Sequence, residues 1–236
     1  MAKACDSGSK IETLVIFDIE ATGLPSPSSP PKITEFSMVA VNRNELLSPN
    51  GKPRVINKLQ ICVNPMKPIP QIVSELTGKP RHFLYFKNQP VFNTELVCII
   101  NGFLNRLPQP VCLVAHSGHG FDFPLLKAEL ERVGGALKDH VTCTDSLIAF
   151  RDLAGEEPWE SHKPFLLNSN ASTSTKRLSY SLVNLYTRVF GCCPEFSHTS
   201  EDDCMTLLAL IQKHSPQVLY WIDSNHIPFK DVKAMH

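Results

Sequence analysis

Short apolar runs, rich in β-branched and aromatic residues, alternate with turn-forming stretches in the first part of the chain. Runs of this length and composition predict β-strands, and the stretches of Pro, Ser, Gly and Asn between them predict loops and turns. Three runs follow one another with only turn-like links, at 12–19, 33–42 and 55–65. The pattern therefore predicts that the fold opens with three strands in an antiparallel meander.

The spacing of apolar residues changes to that of helices from residue 91 onward. Segments 91–107 and 123–134 predict helices, and the continuous apolar run 110–116 between them predicts a strand. A short strand that turns into a helix is predicted at 141–150, and helices are predicted at 179–191, 201–214 and 215–225. We therefore expect an α/β fold in which helices flank a mixed five-stranded sheet.

Length and composition fit one soluble domain that spans residues 1–236. Hydrophobic residues make up 42% and charged residues 19%, and no apolar run approaches the roughly 18 residues of a membrane span. We expect a short disordered N-terminus at 1–10 and a mobile polar loop at about 154–177. The eight cysteines lack paired CxxC spacing and no signal peptide is evident, which favours a cytoplasmic or nuclear protein.

The charge balance argues at first against a nucleic-acid-binding protein, because 23 Lys and Arg are matched by 23 Asp and Glu. Between residues 51 and 90, however, seven cationic residues accompany one Glu, and Phe83, Tyr85 and Phe86 are interleaved with them. Cations beside aromatic rings suit single-stranded DNA. Aromatic residues in the core beside a solvated cationic face would give the same pattern, and both interpretations stay open.

Acidic residues stand at the ends of several predicted elements. Asp18 and Glu20 end the first strand, where alternation directs both side chains to one face. Asp122 follows the strand 110–116, and Asp203 lies near the start of the helix 201–214. Each acid alone could simply end a strand or cap a helix. Together they predict one composite site.

The residue types of this site indicate its chemistry. Carboxylate oxygens without Cys or paired His favour Mg²⁺ or Mn²⁺ over zinc. Four carboxylates around two such ions form a clamp that stabilises the attacking and leaving oxygens in phosphodiester cleavage. His198, which precedes Asp203 by five positions, could accept the proton of a nucleophilic water near neutral pH. The predicted catalytic set is Asp18, Glu20, Asp122, His198 and Asp203.

Three segments that contain these residues, FDIEATGLP, LVAHSGHGFDFPLL and SHTSEDD, resemble the exonuclease motifs of the DEDDh superfamily, which has a ribonuclease-H-like fold. The segments SELTG, PRVINKLQICVNP, SYSLVNLYTRVFG and YWIDSNHIPF further resemble the three-prime repair exonuclease family, from about residue 13 to residue 235. The resemblance implies a hydrolase that removes nucleotides from 3′ ends of single- or double-stranded DNA, with single strands preferred. It also implies two Mg²⁺, replaceable by Mn²⁺, held by Asp18, Glu20, Asp122 and Asp203, with His198 as general base.

Several positions match family residues that hold the substrate. Leu24 and Leu76 match apolar residues that wedge against the terminal bases, and Glu20 and Ala21 match the place where the 3′-hydroxyl end is held.

The resemblance also implies a homodimer joined through an edge strand, here VINKLQICV, and a role in DNA repair or DNA degradation.

Other substrate positions include departures from the family. His116 and Phe121 match residues that touch the terminal nucleotide, and Lys176 and Arg177 match a basic loop. Phe121 stands where the family commonly has Tyr, so a hydroxyl contact to the scissile phosphate would be missing. Ser117 replaces the Asn of the family, which puts backbone contacts there in question.

Two other functions are compatible with the same motifs. A non-catalytic DNA-end binder could retain the fold, although all five DEDDh positions are intact. An exoribonuclease of the same superfamily would use the same chemistry, although the segments ATGLP and SELTG favour DNA.

Overall fold

The computed structural model describes residues 10–26, 30–48, 51–69, 86–155, 179–195 and 199–235. Four residues predicted for the site lie outside these ranges, namely Leu76, Lys176, Arg177 and His198. The segments predicted as a disordered N-terminus and a mobile loop also lie almost entirely outside them.

The predicted meander is confirmed. Strands β1 (Thr13–Ala21), β2 (Ile33–Asn42) and β3 (Val55–Cys62) pair antiparallel in this order. A short helix that the sequence pattern did not indicate, α1 (Arg43–Leu47), follows β2. Its five residues are too few to show a helical period.

The second half of the chain alternates helices and strands, as predicted. The elements are α2 (Thr94–Asn105), β4 (Val111–Ala115), α3 (Asp122–Arg132), β5 (Thr142–Asp145), α4 (Ser146–Leu153), α5 (Leu182–Phe190), α6 (Ser200–Lys213), α7 (Gln217–Asn225), β6 (Ile227–Pro228) and a 3₁₀ turn (Phe229–Asp231). Within the described ranges, none of the helices has the length and apolar content that crossing a bilayer requires.

The strands form one mixed sheet in the order β3-β2-β1-β4-β5-β6. β4 runs parallel to β1, β5 runs parallel to β4, and β6 pairs antiparallel with β5. The prediction of a mixed sheet flanked by helices is confirmed. The sheet has six strands where the pattern indicated five, because β6 spans only two residues and has no readable alternation.

Alternation along β1 assigns its side chains to two apolar clusters, one on each face of the sheet. Phe17 packs with residues of α2 and α3, whereas Leu14 and Ile16 pack with residues of α6. Asp18 and Glu20 continue the even-numbered series of Leu14 and Ile16. The two acids therefore project on the face that α6 covers, at the carboxyl end of a strand.

Candidate active site

Three carboxylates converge at the end of β1. Oxygens of Asp18, Glu20 and Asp203 lie within 4.8 Å of one another, and all three side chains are half-buried. Asp203 reaches the cluster because it lies in the first turn of α6, which packs against β1 and β2. Two positions of one strand, separated by a single residue, and one helix position 183 residues beyond Glu20 thus form one acidic pocket.

Asp122 is bound to the same strand from the other side. It is the first residue of α3 and is 4% exposed. Its carboxylate Oδ1 accepts a hydrogen bond from the backbone N–H of Ile19 at 3.1 Å. Because Ile19 separates Asp18 from Glu20, this bond places the fourth predicted carboxylate beside the other three.

The electrostatics of the pocket reflect this concentration of acids. Burial, reinforced by the charges of Asp122, Asp203 and Glu20, raises the pKa of Asp18 well above its usual value. Burial also raises the pKa of Asp122 to about 8, although its hydrogen bond from Ile19 acts in the opposite direction. Carboxylates with such raised pKa values hold protons that a cation could replace.

The donor set fits a hard divalent cation. The described cluster consists of carboxylate oxygens alone, which are the ligands that Mg²⁺ and Mn²⁺ prefer. A cation between the three converging groups would remove the mutual repulsion that their closeness creates. The distances between the ligand atoms are short enough for one ion to contact all three carboxylates.

The loop 116–120 connects β4 to α3 and is held by Asp145, the last residue of β5. Asp145 is 3% exposed. Its carboxylate accepts hydrogen bonds from the backbone N–H groups of Ser117 at 3.0 Å and His119 at 3.1 Å. Its Oδ1 also accepts from the N–H of Leu147 at the start of α4. Asp145 therefore fixes the loop that leads into Asp122.

His116 uses both ring nitrogens within the protein. Nε2 lies 2.8 Å from the carbonyl oxygen of Tyr180, and Nδ1 lies 3.0 Å from Oγ of Ser146. Burial lowers the pKa of His116. Oγ of Ser146 also donates to the carbonyl oxygen of Ala115 at 3.2 Å, so the ring, Ser146 and the two carbonyl oxygens form one connected set of contacts that occupies both ring nitrogens. Its predicted contact with a nucleotide would therefore use a carbon edge or the ring face.

The other described substrate positions differ in exposure. Leu24 is 82% exposed and projects from the loop after β1, as a residue that wedges against bases would require. Ala21, the last residue of β1, is half-buried. Phe121 precedes α3 and packs against the core cluster on the α2 and α3 face. The roles of these three residues stay predictions.

The basic region between residues 51 and 90 is only partly described. Phe86 is 5% exposed and belongs to the interior, so for this ring the core interpretation holds. Lys58 forms an ion pair with Glu201, and Lys67 donates to the carbonyl oxygen of Pro30. Phe83 and Tyr85 lie outside the described residues.

Two acids near the site are not among the residues that the sequence predicts for it. Glu35 on β2 is directly opposite Glu20 in the β1–β2 register, and its charge contributes to the raised pKa of Asp18. The sequence pattern predicts Asp145 only as part of a short strand that turns into a helix. Both carried a signal, since Glu35 interrupts an apolar strand and Asp145 ends β5 much as Asp18 stands near the end of β1.

Comparison with known proteins identifies the family. The exonuclease family model matches residues 15–211. Three-prime repair exonuclease 1 of Bos taurus is 40% identical over 237 aligned positions, which cover 96% of this chain and 71% of the relative.

Solved structures share the fold at low sequence identity. The nuclease domain of a DEDDh family member bound to rAMP superposes with a TM-score of 0.60 at 14% identity, covering 86% of this chain and 92% of that domain. E. coli exonuclease I in complex with a dT13 oligonucleotide superposes with a TM-score of 0.62 at 14% identity, covering 90% of this chain. This chain spans 43% of exonuclease I. The fold is therefore that of these exonucleases, and the chain is a nuclease that belongs to the three-prime repair exonuclease family.

Proposed function

We propose that this protein is a 3′–5′ exodeoxyribonuclease that removes nucleotides one at a time from the 3′ ends of single- or double-stranded DNA. The observation that carries the proposal is the convergence of Asp18, Glu20 and Asp203 within 4.8 Å. The hydrogen bond between Asp122 and the backbone of Ile19 supports it, because it adds the fourth acid of the family pattern.

Asp18, Glu20, Asp122 and Asp203 would hold two Mg²⁺, which Mn²⁺ can replace. Bound at this site, the ions would activate water and stabilise charge on the attacking and leaving oxygens of the phosphodiester. The chain's own contribution is positional. β1 fixes two carboxylates on one face, the Ile19 N–H orients Asp122, and the first turn of α6 presents Asp203.

His198 is the proposed general base, which would accept the proton of the attacking water. It lies outside the described residues. Its place in the sequence supports the proposal, because it directly precedes Thr199, the N-cap residue of the helix that carries Asp203.

Substrate binding would centre on the end of the strand. Glu20 and Ala21 would hold the 3′-hydroxyl end, and Leu24 would pack against the terminal base, for which its 82% exposure leaves it free. Leu76, His116, Phe121, Lys176 and Arg177 complete the proposed contacts. Metal loading would add positive charge to a chain of zero net charge, so binding of a DNA end at the pocket would depend on the metal.

We also propose a homodimer. Among the strands that the structure describes, β3 is the first in the sheet order and pairs with β2 alone, and such an edge can pair with a second copy. A light-scattering mass near that of one chain would refute the dimer. A location in the cytoplasm or the nucleus stays a prediction.

The proposed activity is tested with 5′-labelled single-stranded DNA and RNA of the same sequence, incubated with Mg²⁺ and the wild-type protein, His198→Ala or Asp203→Ala. We expect a ladder of DNA products shortened from the 3′ end with wild type only. Binding of DNA without shortening would indicate the non-catalytic DNA-end binder, and faster shortening of RNA would indicate an exoribonuclease. Equal DNA degradation by Asp203→Ala would refute the proposed site.

A further inference from the structure

A buried polar network surrounds Glu35 on β2, behind the carboxylate cluster. Glu35 is 7% exposed, and its Oε1 accepts hydrogen bonds from Oγ of Ser200 at 2.8 Å and from Nε2 of Gln60 at 3.1 Å. Oγ of Ser37 lies 2.8 Å from Oγ of Ser200, and both serines are fully buried. The network joins β2 and β3 to the first residue of α6.

The sheet register places this network directly beside the proposed metal ligands. Glu35 is opposite Glu20, and Ser37 is opposite Asp18, in the antiparallel pairing of β1 with β2. Residues directly opposite in such a pair project on the same face. Glu35 and Ser37 therefore face α6 next to the two strand carboxylates.

The direction of the hydrogen bonds defines what Glu35 does. The hydroxyl of Ser200 has one proton, which it donates to Glu35, so the hydroxyl of Ser37 donates to Ser200. Gln60 supplies a second N–H to the same oxygen of Glu35. Glu35 is thus the acceptor on which the network ends, and an apolar side chain would leave the buried hydroxyl of Ser200 without this acceptor.

Ser200 and Asp203 lie in the same first turn of α6. The N–H of Asp203 donates to the carbonyl oxygen of Thr199 at 3.1 Å, and the side chain of Thr199 accepts from the N–H of Asp202. Because this turn is closed by its own hydrogen bonds, fixing Ser200 on the sheet also fixes where Asp203 projects.

We propose that Glu35 is a positioning residue for the metal site, which holds the first turn of α6 through Ser200 so that Asp203 stays with Asp18 and Glu20. This inference rests on the proposed function. The electrostatic environment supports it, because a further buried acid beside the cluster adds repulsion that an apolar residue would avoid. The hydrogen bond from Ser200 on α6 to Glu35 offsets this repulsion by a structural role for the acid.

The test compares two changes at Glu35. Glu35→Ala removes the acceptor, whereas Glu35→Gln removes the charge and keeps a side-chain oxygen for Ser200. Binding of Mn²⁺ is measured by electron paramagnetic resonance, and turnover is measured on single-stranded DNA. We expect Glu35→Ala to weaken Mn²⁺ binding about 10- to 100-fold, as for other residues that orient metal ligands. Glu35→Gln should recover most of that affinity and most of the turnover.

Two further variants show whether weaker Mn²⁺ binding comes from losing the link to α6 or from removing a buried acid in general. Ser200→Ala keeps the charge of Glu35 but removes the link to α6, so it should weaken Mn²⁺ binding in the same direction as Glu35→Ala. Glu129→Ala is the matched control, because Glu129 is also a buried acid, but it pairs with Lys32 and Arg132. It should lower thermal stability and leave the Mn²⁺ affinity unchanged.

The outcomes distinguish this inference from the proposed function. If Asp203→Asn leaves Mn²⁺ binding unchanged, the proposed metal site itself is wrong. If Asp203→Asn abolishes binding but Glu35→Ala binds Mn²⁺ like the wild type, only the positioning role is overturned. Equal losses in Glu35→Gln and Glu35→Ala would also overturn it, since charge rather than the hydrogen bond would then matter. If Glu35→Ala fails to fold, Ser200→Ala tests the positioning role of Glu35. An Mn²⁺ affinity of Ser200→Ala equal to that of the wild type would then refute this role.

Discussion

The carboxylate of Asp122 accepts a hydrogen bond from the backbone N–H of Ile19, across 103 positions of sequence. Ile19 stands between Asp18 and Glu20, so the bond ties the start of α3 to the part of β1 that carries both acids. Burial, with a smaller contribution from the charges of neighbouring acids, raises the pKa of this carboxyl, although the hydrogen bond itself lowers it. The acidic pocket is therefore costly to maintain without a cation.

The raised pKa of Asp122 predicts that the stability of the metal-free protein depends on pH. The pKa of Asp122 is about 8 in the folded chain against an ordinary value of 3.8. Between these values the folded state binds a proton that the unfolded state does not, so stability falls as the pH rises through this window. Comparing the melting temperatures of wild type and Asp122→Asn in EDTA isolates the effect. The melting temperature of Asp122→Asn should rise relative to that of the wild type from pH 5 to pH 8.

Mg²⁺ should counteract the fall in stability of the wild type with rising pH. The cation competes with protons for the same carboxylates, so the melting temperature should rise more on adding Mg²⁺ at pH 8 than at pH 6. An equal rise at both values, or the same rise in Asp122→Asn, would contradict the assignment of this carboxylate to the cation.

Neighbouring acids on α6 should respond differently to the same change. Asp203→Asn should reduce turnover of single-stranded DNA at least about 100-fold, and it should raise the stability of the metal-free protein because one repelling charge is lost. Asp202→Asn is the matched control, because the Asp202 carboxylate accepts from Oγ1 of Thr199 at 2.5 Å. It should keep near-wild-type turnover and lose roughly 0.5–1 kcal/mol of stability. Urea unfolding measures the stability of both variants, and initial rates measure their turnover. Equal turnover in Asp203→Asn and Asp202→Asn would disprove the different roles of the two acids.

Leu24 should matter for DNA and not for folding. Its side chain is 82% exposed, so Leu24→Ala should leave the melting temperature almost unchanged while raising the KM for single-stranded DNA several-fold. Leu47→Ala, at the end of α1, is the control, since Leu47 is also an exposed leucine. Its KM should equal that of the wild type. A Leu24→Ala enzyme with unaltered KM would remove this residue from the substrate site.

Ser117 has a left-handed backbone conformation, with φ at +64°. A serine in this region is strained, by up to about 1–2 kcal/mol, whereas asparagine tolerates it better. Ser117→Asn should therefore raise the free energy of unfolding by a fraction of that amount, and Ser117→Val should lower it. Both keep the backbone N–H that donates to Asp145. Chemical denaturation of the two variants decides, and a less stable Ser117→Asn would show that side-chain crowding outweighs the backbone preference.

Sequence patterns located most of the fold because period and composition are local properties. β1, β2 and the helices around Asp122 and Asp203 lie close to where alternation and helical spacing predicted them. The pair Asp18 and Glu20 could be placed on one face for the same reason, since alternation along a strand does not depend on its neighbours. The positions of Asp122 and Asp203 at the starts of predicted helices also predict that they join this pair, and the resemblance to DEDDh motifs implies that all four hold metal.

Contacts between distant segments had to await the tertiary structure. Nothing local to Glu35 shows that it is opposite Glu20 or that it accepts from Ser200, because strand register and helix docking depend on packing across the whole sheet. The same holds for Asp145, whose partners Ser117 and His119 come from another loop. The sequence by itself determined which carboxylates could bind metal and where the longer strands and helices form, since both follow from residue type and spacing. It did not indicate α1 or β6, which are too short to show a period. Only the tertiary structure decided which buried polar groups hold those carboxylates together, because long-range hydrogen bonds exist only once the chain has folded.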